Sequence, residues 1–263
     1  FEMINISGTI EPQLLKGSTA NRNITAFSLA LKIPFALYLT DRLKNKYFFS
    51  IIIFLIFVSL LNLTLIQSRA SFIAVGAILV GYFSIIFYKF YKLQRGKKVF
   101  LNFLNFLVPL FLAIIVNQIS FSGKIETDAL ERATTISLNT TDDSISKRLR
   151  YYEDVVNHML DNPIFGTGIG NWKFESINYD RLQIDGYIVP YHAHSDFIQL
   201  GAELGFIGFL LYISIFLSAI YFVYHIIFKS KIEPKDKLFS FFLIISLGVY
   251  LIDANLNFPI ARP

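Results

Sequence analysis

Five stretches of this chain are long and almost wholly apolar: 47–67 (YFFSIIIFLIFVSLLNLTLIQ), 71–91, 99–120, 204–228 and 238–256. In hydrocarbon every backbone N–H and C=O must be bonded within the protein, so an apolar run of about 20 residues is read as a helix crossing the roughly 30 Å core of a bilayer. A sixth stretch, 24–40 (ITAFSLALKIPFALYLT), is shorter and carries Lys32. That lysine can snorkel to the headgroups or face a polar bundle interior, and the stretch is read as a span as well. The predicted class is an all-α integral membrane protein with about six transmembrane helices. A hydrophobic share of 54% fits, since soluble domains hold about 45–50% apolar residues. With no cysteine, a disulfide framework and a thiolate metal site are both excluded.

The placement of positive charge orients the spans. Segment 41–46 (DRLKNK) has three basic residues. Segment 89–98 has five, namely Lys89, Lys92, Arg95, Lys97 and Lys98, and 229–237 (KSKIEPKDK) has four. With six spans all three fall on one side, which the positive-inside rule makes cytoplasmic. Both ends, the tight corner 68–70 and the long 121–203 segment then lie outside. The expected organisation is 1–120 with an extracytoplasmic N-terminal segment and four transmembrane helices, 121–203 as an extracytoplasmic loop, and 204–263 with two more helices. The partner of such a surface is the lipid bilayer, and no nucleic acid is expected. The chain starts at Phe1 without a charged n-region or cleavage site, and is read as an internal piece of a longer protein.

Within the outer loop, 144–161 (SISKRLRYYEDVVNHMLD) predicts an amphipathic surface helix. Ile145, Leu149, Tyr152, Val156 and Met159 recur at helical spacing, Ser144 is the expected N-cap, and Asp161-Asn162-Pro163 ends the helix. Residues 123–143 are polar.

Several residues outside the apolar runs are candidates for chemistry. Arg69, in QSRAS, stands where two spans meet with almost no loop. Either it snorkels as an ordinary interfacial arginine, or its fixed fork of donors binds the oxygens of a phosphate. Arg148 and Arg150 sit on the surface helix, where a solvated basic face is the ordinary account. Arg22, just before the first span, is by itself an interfacial charge. The glycines of GTGIG (166–170) follow a helix and Asn-Pro rather than a strand, so they read better as a turn allowing close backbone approach than as a nucleotide loop. YHAHSD (191–196) places His192, His194, Ser195 and Asp196 just before a span, with Glu203 following. These histidines are open to three readings: structural residues, metal ligands, or a base that takes a proton from a hydroxyl. Glu203 is a helix-start acid or a partner in that mouth.

The chain resembles the O-antigen ligase and polymerase superfamily. HSDFIQLGAELGFIG fits its His-(Asn/Ser/Gln)-x9-Gly-x-x-Gly pattern, with His194, Ser195, Gly205 and Gly208 at the fixed positions. GSTANRN is similar to the superfamily's Asn-Arg-Asn segment, and QSRAS to its Ser-Arg-Gly/Ala corner. RLRYYEDVVNHMLDNPIFGTGIGNW is similar to its Arg-Leu-x-x-Trp … Pro-x-x-Gly-x-Gly stretch, with Tyr152 where Trp is usual. The closing NFPIARP resembles the point where some members pass from their last span to a further extracytoplasmic domain. The match runs over roughly 17–263, and about a dozen spans are usual where six are seen here.

The resemblance implies an enzyme that moves a glycan from an undecaprenyl-diphosphate-linked donor to an acceptor hydroxyl, on a glycan, on lipid A-core or on a protein. It implies a multi-pass protein of the bacterial inner membrane with its active site facing the periplasm, and no cofactor or metal. Arg69 and Arg148 would hold the diphosphate and His194 would be the base. Arg150, Arg22, His192, Ser195 and Glu203 would line the mouth. Ligase, polymerase and protein O-oligosaccharyltransferase share these motifs. A transporter would instead place charges or broken helices near midspan, which only Lys32 and Asp253 approach. A non-catalytic scaffold gives no reason for two arginines and a histidine to share a surface.

Overall fold

The computed structural model describes residues 15–17, 21–93, 96–121, 143–180 and 191–261. Its long elements are α1 (Arg22–Arg42), α2 (Lys46–Ile66), α3 (Arg69–Leu93), α4 (Gly96–Phe121), α5 (Asp143–Asp161), α6 (Trp172–Asp180), α7 (Asp196–Tyr224) and α8 (Pro234–Leu256). A π-helical turn, His225–Lys229, prolongs α7, and a 3-10 turn, Pro259–Ala261, follows α8. No strand occurs among the described residues. Helices α1 to α4, α7 and α8 are long and apolar enough to cross a membrane. The protein is an all-α membrane protein with six candidate spans, as its apolar runs predict. The polar stretch at 123–142 lies outside the described residues.

The chain divides into two compact units, Phe1–Ile136 with Val223–Ile252, and Ser137–Phe222 with Asp253–Pro263. In the first, α1 packs on α2 and α3, and α2 packs on α4. Phe242 of α8 is fully buried, with its ring 5.7 Å from Tyr38 and 6.0 Å from Tyr82. Lys32 is exposed, in keeping with a snorkelling side chain rather than one turned to a polar interior.

Lys89, counted from sequence among the loop charges, lies inside α3 and is only 4% exposed. It forms a salt bridge with Asp41 of α1. The other carboxylate oxygen of Asp41 accepts from Asn102 Nδ2 of α4 at 2.9 Å, and the Asn102 carbonyl accepts from the Tyr82 hydroxyl at 2.8 Å. A buried charge without its partner keeps its desolvation cost, whereas removing both charges largely relieves it. Lys89→Met is therefore expected to destabilise the protein by about 3–5 kcal/mol. Lys89→Met with Asp41→Asn should recover most of that loss, as read by thermal unfolding in detergent. Equal losses in the single and double variants would contradict the pairing.

In the second unit Val155, Trp172, Ala193 and Ala202 form the core, with Met159, Tyr179 and Ile198 packed against it. Helix α5 covers the predicted span, but it starts at Asp143, so Ser144 stands in its first turn rather than at its cap. Its buried face also differs in phase from the predicted one. Leu149 and Val156 are 48% and 47% exposed, while Val155 and His158 are buried. The inward face runs through Arg148, Tyr151, Tyr152, Val155, His158 and Met159. A count of aliphatic residues alone misplaces it because half of that face is polar.

Helix α7 is two helices joined at Gly205, which has φ 66° and ψ −167°. The Phe197 ring lies 4.9 Å from Tyr212 and 5.3 Å from Phe216. A straight helix would hold Phe197 and Tyr212 about 22 Å apart at 1.5 Å per residue. The arm Asp196–Leu204 therefore folds back along the apolar arm that begins at Phe206. The Leu204 side chain fills the space at Gly208, where a Cβ would come within 2.1 Å of it. Gly208 thus admits the helix's own preceding arm.

Candidate functional site

In the first unit the chain turns from α2 to α3 within two residues. Gln67 takes the left-handed conformation (φ 54°), and the Ser68 carbonyl accepts from the N–H groups of Ser71 and Phe72. This places half-buried Arg69 at the first position of α3, between buried Ser68 and Ala70. Asn21 caps α1 through hydrogen bonds from the N–H groups of Asn23 and Ile24. The Ser68 hydroxyl donates to Asn23 Oδ1 at 3.0 Å. The Asn-Arg-Asn segment carrying Arg22 and the Ser-Arg corner carrying Arg69 are thus bonded to each other.

The second unit holds Arg148, Arg150, His192, His194, Ser195 and Glu203. Fully buried Ala193 anchors in the core and leaves a histidine on either side. His194 is in the left-handed region (φ 58°), a conformation costing on the order of 1–3 kcal/mol for a residue with a side chain. Its carbonyl accepts from the Tyr152 hydroxyl at 3.2 Å, and that hydroxyl is also 3.0 Å from the Asn255 carbonyl. The His194 ring stacks on Tyr151 (6.2 Å between centroids) and meets the edge of Phe258 (5.4 Å). Arg150 lies over the other partner in this stack, 5.2 Å from the Tyr151 centroid. His192 stacks on Phe258 at 4.2 Å.

Burial, then the charges of Arg148 and His192, push the His194 imidazole down to about 4. Burial also lowers His192, against opposing pulls from Gln199 and Glu203. Three buried atoms here, Nδ1 of His192, Nδ1 of His194 and Oγ of Ser195, have no hydrogen-bond partner among the described residues. Asp196, fully buried at the start of α7, accepts from the Ile260 N–H at 3.0 Å and so ties the chain beyond α8 to the site.

Gly166 and Gly168 of GTGIG pack and bond against protein backbone. Thr167 N–H donates to the Ala202 carbonyl (3.3 Å), Gly168 N–H to that of Glu203 (2.7 Å), and Phe206 N–H to that of Pro163 (2.8 Å). A Cβ at Gly166 would come within 2.5 Å of the Ala202 carbonyl oxygen, and one at Gly205 within 2.3 Å of that of Ile164. Both glycines also have positive φ. The Pro-x-x-Gly-x-Gly loop and the Gly-x-x-Gly bend are therefore two halves of one backbone joint. Beneath it His158 bonds Thr167 Oγ1 at 3.1 Å and Tyr179 at 3.2 Å, and the Tyr179 hydroxyl donates to Asp161 at 2.7 Å. Among the described residues no cluster of three or more His, Asp or Glu is placed to hold a metal ion.

Residues 52–213, more than half of the chain, match the family described as O-Antigen ligase. This chain belongs to the O-antigen ligase family. No curated protein and no solved structure matches it. Family membership makes it a glycosyltransferase-type membrane enzyme of the O-antigen ligase or polymerase kind, a class that works with lipid-linked glycan donors and acceptors. In this O-antigen ligase family member Tyr152 supplies the O–H donor to the His194 turn; the Trp usual there would also bring a donor, its indole N–H. Reasoning from sequence passed over Gln199, whose signal is a polar residue one turn before Glu203 on an otherwise apolar arm. It also passed over Phe258, which entered only as part of the closing NFPIARP.

Proposed function

We propose that the protein transfers a glycan from an undecaprenyl-diphosphate donor to an acceptor hydroxyl at the outer face of the inner membrane. The leaving group is a lipid diphosphate, whose developing charge Arg69 and Arg148 stabilise. The acceptor hydroxyl needs a base, and His194 fills that role. Arg150, Arg22, His192 and Ser195 line the mouth. The observation that carries this reading is the His194 turn: a strained histidine, held in a fixed conformation, with an unpartnered ring nitrogen and the Arg148 charge within reach. Strain of this kind is kept where the surroundings over-determine it, and such sites cluster at active centres.

The imidazole at about 4 gives this reading a pH signature. In the free enzyme His194 is neutral, and competent as a base, at any pH above that value. The acid limb of kcat/KM is expected near pH 4 rather than near 6.5, where free histidine titrates. A bound diphosphate beside Arg148 opposes that cation and favours the imidazolium, so the acid limb of kcat should lie at higher pH than that of kcat/KM. The same change brings the base nearer the operating pH, where general base catalysis works best. An acid limb unchanged in His194→Gln would contradict the assignment.

The orientation has its own test. Thr127→Cys, in a chain with no competing cysteine, is expected to react with a membrane-impermeant thiol reagent in intact spheroplasts. Protection there would overturn the topology and the site's location with it.

A further inference from the structure

We propose that Gln199 is the positioning residue for His194 and that Glu203 braces it, acting as a strut rather than as a substrate-facing acid. This rests on the reading of His194 as the base. Ala193 N–H donates to Gln199 Oε1 at 3.2 Å, fixing the His192–Ala193 peptide, one residue ahead of the left-handed His194. Gln199 Nε2 donates to Glu203 Oε1, also at 3.2 Å. The orientation of the amide is forced. A backbone N–H can only donate, so the oxygen must face Ala193, and the amide nitrogen is left to face a carboxylate that can only accept. Gln199 and Glu203 are one helical turn apart, and Glu203 is 3% exposed.

The far end of the strut is fixed as well. The Glu203 carbonyl accepts from Gly168 N–H at 2.7 Å, within the joint of the two glycine motifs. A continuous line of bonds thus runs from the Pro-x-x-Gly-x-Gly loop through Glu203 and Gln199 to the His192–Ala193 peptide, which leads into His194. Tyr152 holds the other side of the same turn through the His194 carbonyl. This gives the loop a part in catalysis without contact with substrate.

Four variants test the strut. Gln199→Leu keeps the volume and loses both bonds; kcat should fall about tenfold, the scale of one net hydrogen bond, with KM for the donor unchanged. Gln199→Glu sets two carboxylates against each other and should lose more. Glu203→Gln keeps an acceptor for the Gln199 amide and should lose less than Gln199→Leu. The double variant Gln199→Glu with Glu203→Gln reverses the pair while keeping both bonds, and should recover the activity lost by Gln199→Glu. A Glu203→Gln variant as poor as Gln199→Glu, or no recovery in the double variant, would overturn the proposal and make Glu203 a substrate-facing acid. Hydrogen exchange at the Ala193 amide, measured without substrate, separates this from the reaction itself. It should be slow in the wild type and the double variant and fast in Gln199→Leu. That pattern in a protein that transfers no glycan would leave the strut standing and remove the reading of the reaction. Equal exchange in wild type and Gln199→Leu would remove the strut.

Discussion

Arg69→Ala is expected to abolish glycan transfer while leaving the protein in the membrane at its normal level. Arg69 is the first residue of α3, set there by a two-residue corner with backbone hydrogen bonds at Gln67 and Ser68. Removing a donor aimed at a developing oxyanion typically costs about 10²–10³-fold in kcat. Arg69→Lys should rescue poorly, because an ammonium lacks the planar fork that meets two phosphate oxygens at once. Arg148→Ala should behave alike. Arg150→Ala should be milder, since Arg150 lies over the Tyr151 ring. Transfer assayed with lipid-linked donor in membranes of equal protein content gives the answer. Full activity of Arg69→Ala would remove the diphosphate assignment, and Arg150→Ala worse than Arg148→Ala would mean that the roles of the two arginines are exchanged.

His194→Ala should lose about 10²–10⁴-fold in turnover, the usual contribution of general acid–base catalysis, with donor binding largely kept because the arginines remain. His194→Gln should be equally poor if proton transfer matters, and milder if the residue only donates a hydrogen bond. His192→Ala should be the gentler substitution: His192 stacks flat on Phe258 and its backbone takes no left-handed conformation. Near wild-type turnover of His194→Ala would leave the mechanism to arginine electrostatics alone.

The spans and their number were legible because long apolar runs admit one solution in a bilayer. The four motifs were legible as candidates; Arg22 and Arg69 lie in one unit, and Arg148 and His194 in the other. What the sequence hid was contact geometry. The glycines of GTGIG and of the Gly-x-x-Gly bend look like independent signals, yet Gly166 and Gly205 each admit the other segment's backbone. Period alone placed Leu149 and Val156 inward, because hydrophobic counting cannot see that Arg148, Tyr151 and His158 lie on the less exposed face of the helix. Lys89 looked like a loop charge because nothing local marks its pairing with Asp41, 48 residues earlier in the chain. The reversal at Gly205 was equally hidden, since an apolar run reads the same whether it is straight or folded back.

The most direct test is transfer by the purified protein from an undecaprenyl-diphosphate-linked glycan to an acceptor, with a chelator present throughout. The account predicts product that depends on His194, Arg69 and Arg148 and does not change on chelation. Transfer abolished by the chelator and restored by a divalent cation would contradict it, and would give the histidines a metal in place of a proton.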